Sequence, residues 1–237
     1  MQRGLIGLLA GIAGAAALPT PAPAATRGYT ITSFDRIRVE GPFAVTLTTG
    51  AGSSARAEGP DGRMLSGVRL DMMGRTLVIR RDRDAIQGGT LRGIRIALTT
   101  PAILGATVVG AGSLTVATSR GARFDAGVSG AGSLAVTGLD TDLLNVTITG
   151  AGNTKFAGRT RALRAVVQGA GVIDAPDLAT QDATIVSAGS GTITVAAART
   201  AKVNATGAGA VTILGTPACT VASEGTVDVT CDGPNAR

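Results

Sequence analysis

Apolar and polar residues alternate along most of this chain, and a glycine pair punctuates the alternation about every twenty residues. The pairs are Gly110 and Gly112, Gly130 and Gly132, Gly150 and Gly152, Gly169 and Gly171, Gly189 and Gly191, and Gly207 and Gly209. Successive pairs lie 20, 20, 19, 20 and 18 residues apart. Four positions before each pair stand Ala106, Ala126, Val146, Ala165, Ile185 and Val203. Four after stand Leu114, Leu134, Thr154, Ile173, Ile193 and Val211. Further apolar residues follow at alternate positions, giving the period of two expected of strands that bury one side. β-Branched residues and glycine disfavour helix in every unit.

A fixed short period marks a repeat architecture in which each unit buries its apolar side against its neighbours. The pattern predicts an all-β fold, a parallel β-solenoid (β-helix-like) with about 18–20 residues per coil. Each coil is expected to hold two short strands and two corners. Six or seven coils stacked at strand spacing would make a rod about 30 Å long. The glycine pairs are assigned to the corners, where a Cβ would obstruct the backbone angles or the close approach required. The residue between them is always Ala or Ser. Glu224-Gly225-Thr226-Val227 reads as a degenerate last coil that caps the exposed edge.

Residues 26–104 alternate without regular glycine pairs. Ile37, Val39 and Phe43, Val45, Leu47 flank Gly41-Pro42, and Val68, Leu70 and Leu77, Ile79 flank a hairpin turn at Met73-Gly74-Arg75. Ile94, Ile96 and Leu98 make another strand that ends at Pro101. This part reads as irregular opening coils of the same solenoid or as a small β cap on it. Residues 105–237 then carry the regular Gly-Ala-Gly solenoid and its capping coil.

Residues 1–25 read as a signal peptide: Arg3, an apolar stretch from Leu5 to Leu18, and a small-residue cleavage site at Ala22-Pro23-Ala24. The mature chain is expected to be exported, either periplasmic or at the cell surface and beyond, with no transmembrane segment. No Cys follows the apolar stretch, so a lipoprotein anchor is not indicated. Cys219 and Cys231 are the only cysteines and flank the last coil. In an oxidising compartment they predict a disulfide, and with no His in the chain a metal site is disfavoured.

The net charge of +6 is concentrated early: residues 26–104 hold twelve Arg against seven acids, and residues 105–237 hold nine of each sign. Arg80-Arg81-Asp82-Arg83-Asp84 is the densest cluster. It reads as a solvated loop or as a contact for anionic envelope polymers or lipid head groups. Export and the scarcity of Lys and aromatic residues argue against nucleic acid.

Two motifs fail on inspection. Val108-Val109-Gly110-Ala111-Gly112-Ser113 opens like a dinucleotide-binding loop, but Thr115 stands where the third glycine belongs and another strand follows. Calcium-binding β-rolls repeat with a period of nine and place Asp after the glycines; here Ser113, Ser133, Asn153 and Thr192 occupy that region. Glycoside cleavage needs two carboxyl groups held across the sugar. The candidates Asp140, Asp142, Asp174, Asp177 and Asp182 sit at differing offsets within the repeat. No catalytic, cofactor-binding or metal-ligating residue is therefore assigned, and no cofactor is expected. Ser113, Ser133, Asn153 and Thr192 share one repeat position and are expected to form a polar ladder, as a solvated face or as a partner's footing.

The run Phe34-Asp35-Arg36-Ile37-Arg38-Val39-Glu40-Gly41-Pro42-Phe43-Ala44-Val45-Thr46-Leu47, then Leu77-Val78-Ile79, then the serial Gly-Ala-Gly-Ser units, resembles a known bacterial family. It is the putative auto-transporter adhesin family with the head GIN domain, a domain of unknown function, and the resemblance spans roughly residues 32–215. The resemblance implies an exported β-solenoid and an adhesin label without catalytic residues. Cys231 to Arg237 bring no amphipathic strand series for an outer-membrane barrel, so self-translocation is not expected. Taken with the residues, it implies a non-enzymatic module binding an envelope or surface partner, protein or anionic polysaccharide. A periplasmic structural or envelope-stress component is the alternative, and a glycan-active enzyme the weaker one.

Overall fold

The computed structural model describes residues 24–82 and 93–231. Most of the predicted signal peptide, Arg83 and Asp84 of the basic cluster, and the tail after Cys231 lie outside the described residues. The first region contributes β1 (Ala25–Tyr29), β2 (Arg36–Glu40), β3 (Ala44–Thr49), β4 (Ser54–Gly59) and the short helix α1 (Gly62–Ser66). The hairpin β5 (Val68–Met73) and β6 (Thr76–Arg81) follows, then β7 (Arg95–Thr100). Next come β8 (Gly105–Gly110), β9 (Ser113–Val116), β10 (Ser119–Gly130), β11 (Ser133–Gly150) and β12 (Asn153–Gly169). The chain continues with β13 (Val172–Ala175), β14 (Leu178–Gly189), β15 (Thr192–Ala196), β16 (Thr200–Gly207), β17 (Ala210–Leu214), β18 (Ala218–Gly225) and β19 (Asp228–Cys231).

These strands wind into a β-solenoid of about six turns. The stretches before each Gly-Ala-Gly corner stack in parallel as one broad face: β6, β2, β8, then the last parts of β10, β11, β12 and β14, then β16 and β18. The stretches after each corner stack as a narrower face: β7, β3, β9, the first parts of β11 and β12, then β13, β15, β17 and β19. Register is kept residue for residue, Ala126 on Ala106 and Val146 on Ala126. The alternation therefore becomes inward and outward columns running along the axis.

The coil has three sides, not two. Ser119 to Gly121 pair with Leu139 to Thr141, which pair with Gly158 to Thr160 and then Leu178 to Thr180. This short third side, here called the ridge, closes the triangle between the end of the narrow face and the start of the broad one. Its inward column, Thr141, Thr160 and Thr180, is buried. Those hydroxyls bond each other and nearby carbonyls, Thr160 Oγ1 donating to Ala162 O at 3.1 Å. Buried donors so placed cost little, where unpaired ones would each cost about 1–3 kcal/mol. A second inward column, Ser119, Leu139, Gly158 and Leu178, is only partly apolar, so the ridge carries no continuous apolar period.

The corners carry the hydrogen-bond ladder around the bend. Ala151 N donates to Gly130 O at 3.0 Å and Asn153 N to Gly132 O at 3.0 Å, and the same pair of bonds recurs at each later corner. Gly150 lies at φ +108°, a region open to glycine and strained for residues with a Cβ. Gly132 has an ordinary φ, but a Cβ there would lie 2.6 Å from Val108 Cγ1 and 2.9 Å from Gly112 O of the preceding coil. The two glycines of a pair thus meet different demands, one conformational and one of close stacking.

The N-terminal region both continues the solenoid and caps it. The β2–β3 coil is entered first in sequence, yet it is the second layer of the stack, between the β6 and β7 layer and the β8 and β9 layer. Beyond that layer the sheet ends in antiparallel strands: β5 on β6, and β4 on β7 with β1 on β4. The expected hairpin is β5–β6, turning at Gly74 with φ +62°. Helix α1 supplies Leu65, 2 % exposed, as a plug for the end of the core. Tyr29 Oη donates to Leu65 O at 3.2 Å, tying β1 to the helix. All four phenylalanines, Phe34, Phe43, Phe124 and Phe156, lie inside. At the opposite end Cys219 on β18 and Cys231 on β19 form a disulfide across the last coil.

Candidate functional site: the outward columns of the broad face and ridge

Because the register is exact along the broad face, each of its outward columns is an array of side chains at strand spacing, about 4.8 Å. The first column of the broad face reads Arg36, Gly105, Asp125, Asn145, Arg164, Thr184, Lys202, Thr220. The next reads Arg38, Thr107, Gly127, Thr147, Val166, Val186, Asn204, Ala222. Small and polar residues keep this face flat. Val186 and Met73 are the exposed large hydrophobic residues among those described.

Cations recur on every second coil along the border of broad face and ridge. Arg36 belongs to one such coil, Arg120 and Arg123 to the next, then Arg159, Arg161 and Arg164, then Arg199 and Lys202. The coils between them supply Gly105, then Asp140, Asp142 and Asn145, then Gln181, Asp182 and Thr184. Most charges pair across coils. Arg159 grips Asp140 with Nε at 2.8 Å and Nη2 at 2.6 Å, Arg161 reaches Asp142 at 2.8 Å, and Arg199 binds Asp182. Gly105 lacks a side chain between Arg36 and Asp125, and Arg36 spans it to meet Asp125 at 3.4 Å. Arg164 and Lys202 make no ion pair among the described residues.

Most of the carboxylates weighed for glycoside cleavage are thereby paired with cations. The Arg159 hydrogen bond holds the Asp140 carboxyl below its ordinary pKa, and Arg199 with Thr200 does the same for Asp182. Partial burial pushes Asp125 up, but hydrogen bonds from Asn145 and Arg123, with the charges of Arg123 and Arg36, outweigh it and leave it lowered. Acids held ionised in this way are poor proton donors. Asp174 pairs with Lys155 at 3.4 Å on the narrow face, and Asp177 sits exposed at a corner, its carbonyl accepting from Gly158 N. A shallow depression of about 340 Å³ on the ridge is lined by Asp140, Asp142, Arg159 and Arg161, whose charges answer one another.

The polar ladder expected at Ser113, Ser133, Asn153 and Thr192 is brought into one column of the narrow face, with Val172 between Asn153 and Thr192. Nearby outward columns there mix Ala, Thr and the Lys155–Asp174 pair, so no charge surplus builds up. Of the early basic cluster, Arg80 pairs with Asp71 at 2.7 Å and Asp82 with Arg69 at 3.7 Å. The alternating cations of the border escaped the sequence reading. The signal was present five residues before each glycine pair, where Asp125, Asn145, Arg164, Thr184 and Lys202 align.

Comparison with known proteins agrees with this geometry. The family described as putative auto-transporter adhesin, head GIN domain, matches residues 33–217. A putative adhesin of Bacteroides fragilis shares the fold with a TM-score of 0.82 at 21% identity, over 89% of this chain and 98% of that one. A putative adhesin of Parabacteroides merdae gives 0.68 at 15% identity, over 87% and 95%. A protein of Parabacteroides distasonis described as putative lipid binding gives 0.67 at 18% identity, over 87% and 96%. No curated protein matches the chain.

Proposed function

This chain belongs to the putative auto-transporter adhesin family with the head GIN domain, and from that premise we propose that it is an exported, non-enzymatic module that binds a partner at the bacterial envelope. The observation that carries the reading is the broad face, flat over successive coils, with Arg164 and Lys202 in no ion pair among the described residues. A solenoid presents such an extended surface without reorganisation on binding. The pairing of Asp140, Asp142, Asp174 and Asp182 with cations supports a role other than catalysis. Residues 1–25 serve in this reading as the cleaved export signal. No helix among the described residues is long and apolar enough to cross a membrane.

Protease accessibility in intact cells, with lysed cells as control, tests the reading. Cleavage in intact cells supports adhesion at the surface. Protection until lysis replaces adhesion by a periplasmic structural or envelope-stress role, in which the same face meets a partner inside the envelope.

A further inference from the structure

We infer that the broad face binds an extended acidic polysaccharide laid along the solenoid axis, with its anionic groups on Arg164 and Lys202. The inference rests on the binding-module reading and deepens it by naming the ligand class and its footing. Arg164, Thr184 and Lys202 are successive members of one outward column on β12, β14 and β16. Two strand spacings, about 9.6 Å, therefore separate the two cations. All three side chains are exposed, and neither cation is engaged by an acid among the described residues, whereas Arg159, Arg161 and Arg199 each hold one. Column geometry fixes the spacing, because each cation belongs to a backbone ladder that cannot slip without burying polar residues.

That separation suits a chain carrying one carboxylate per disaccharide, since a single sugar ring is much shorter. Thr184, between the cations, offers a hydroxyl where the uncharged sugar would lie. Beside this column run Val166 and Val186, the latter 40% exposed, with Thr147 before them and Asn204 after. A small apolar strip bordered by hydrogen-bonding groups accepts the C–H face of a pyranose and its hydroxyls together. A protein partner would want anchors of another kind, since binding hot spots draw on large buried aromatic and apolar groups. Here all four phenylalanines are inside, and Val186 alone among the large hydrophobics is exposed on these coils in the described structure.

The test is calorimetric titration of the purified protein with a hyaluronan decasaccharide, which carries one carboxylate per disaccharide. Dextran serves as the neutral chain and poly-glutamate as the acidic polypeptide. Binding to whole bacterial cells is measured alongside. Saturable binding of hyaluronan that weakens with added salt is expected, with none to dextran. Arg164→Gln and Lys202→Gln should each weaken it about two- to fivefold. Thr184→Glu, which sets a carboxylate between the cations, should weaken it more than either. Melting curves matching the parent confirm that these exposed substitutions leave the fold intact. Hyaluronan binding that is absent, or equal in all four proteins, overturns the inference, as does tighter binding of poly-glutamate. Cells bound equally by the parent and Thr184→Glu would overturn the ligand and its site while leaving a binding module standing. Failure of the parent to bind cells counts instead against the binding-module reading.

Discussion

Residues 24–82 and 93–104 fill the same core as residues 105–231, but they turn their corners and end their sheet by different means. In the regular coils a glycine corner stacks on a glycine corner, so that a Cβ at Gly132 would strike the Gly112 carbonyl and the Val108 side chain beneath it. In the β2–β3 coil the equivalent turn is Gly41-Pro42-Phe43: Gly41, at φ +129°, stands where the later coils have the first glycine of a pair, and Phe43 stands where they have the second. The contrast teaches that the bend itself demands the first glycine in every coil, whereas the second is demanded only where another glycine corner lies directly beneath it. The sheet end shows a second contrast. β4 and β5 reverse direction, β1 turns back on β4 and α1 plugs the core, whereas β18 and β19 keep the parallel register and are joined by a disulfide.

The largest expected effect comes from breaking the corner contrast. Gly152→Val should destabilise the chain by about 3–5 kcal/mol, through collision with Val128 and the Gly132 carbonyl. Gly41→Ala should cost less, about 1–3 kcal/mol, from the strain of a Cβ at φ +129° beside a ring that can turn aside, and Thr147→Ser on the outer face should be nearly neutral. Denaturant titrations of the three variants decide the matter, and equal midpoints for Gly152→Val and Thr147→Ser would remove the stacking argument.

Next in size is the cap. Leu65→Ala should cost about 2–4 kcal/mol by opening a void under α1. In hydrogen exchange the loss should appear first in β1, β4 and β5 and leave β12 to β16 protected, since a solenoid passes stability between neighbours. Uniform loss of protection would mean that cap and coils form one cooperative unit. Replacing Cys219 and Cys231 by Ser is the mirror experiment at the other end, worth about 2–3 kcal/mol from the loop that the disulfide closes. Exchange should then quicken in β18 and β19 before any other strand.

Acid gives the smallest effect. The carboxyls of Asp140 and Asp182, lowered by Arg159 and Arg199, contribute stability above the ordinary carboxylate pKa. That contribution is lost as pH falls through their lowered values. The unfolding midpoint should thus stay level from about pH 7 to pH 5 and decline below about pH 4. In an Asp140→Asn, Asp182→Asn variant the decline should be shallower. An unchanged slope in that variant would mean the ridge pairs carry no linkage, as full exposure of such pairs can produce.

Strand identity, inward positions and corner sites were legible because they are local. A side chain's choice of face follows from its parity along the chain, and Gly-Ala-Gly announces a bend wherever it occurs. The partnership of Cys219 with Cys231 was legible from compartment and count. The ridge was not, since Thr141, Thr160 and Thr180 face inward without being apolar. Helix α1 was missed as well, being a single turn held by Asp61 at its N-cap and by Leu65 in the core. At the site, the residues were visible but their pairing was not. Asp140 and Asp142 read as a carboxylate pair in sequence, and each turned out to belong to an arginine one coil away.

The sequence by itself determined that this protein is a glycine-cornered β-solenoid with its apolar residues inside, because both features depend on residues within a few positions of each other. Only the tertiary structure decided that the β2–β3 coil lies between layers formed later in the chain, and that cations fall on alternate coils of one border. The reason is that strands bond through their backbones, which are alike in every coil, so side-chain pattern alone does not say which coil will be neighbour to which.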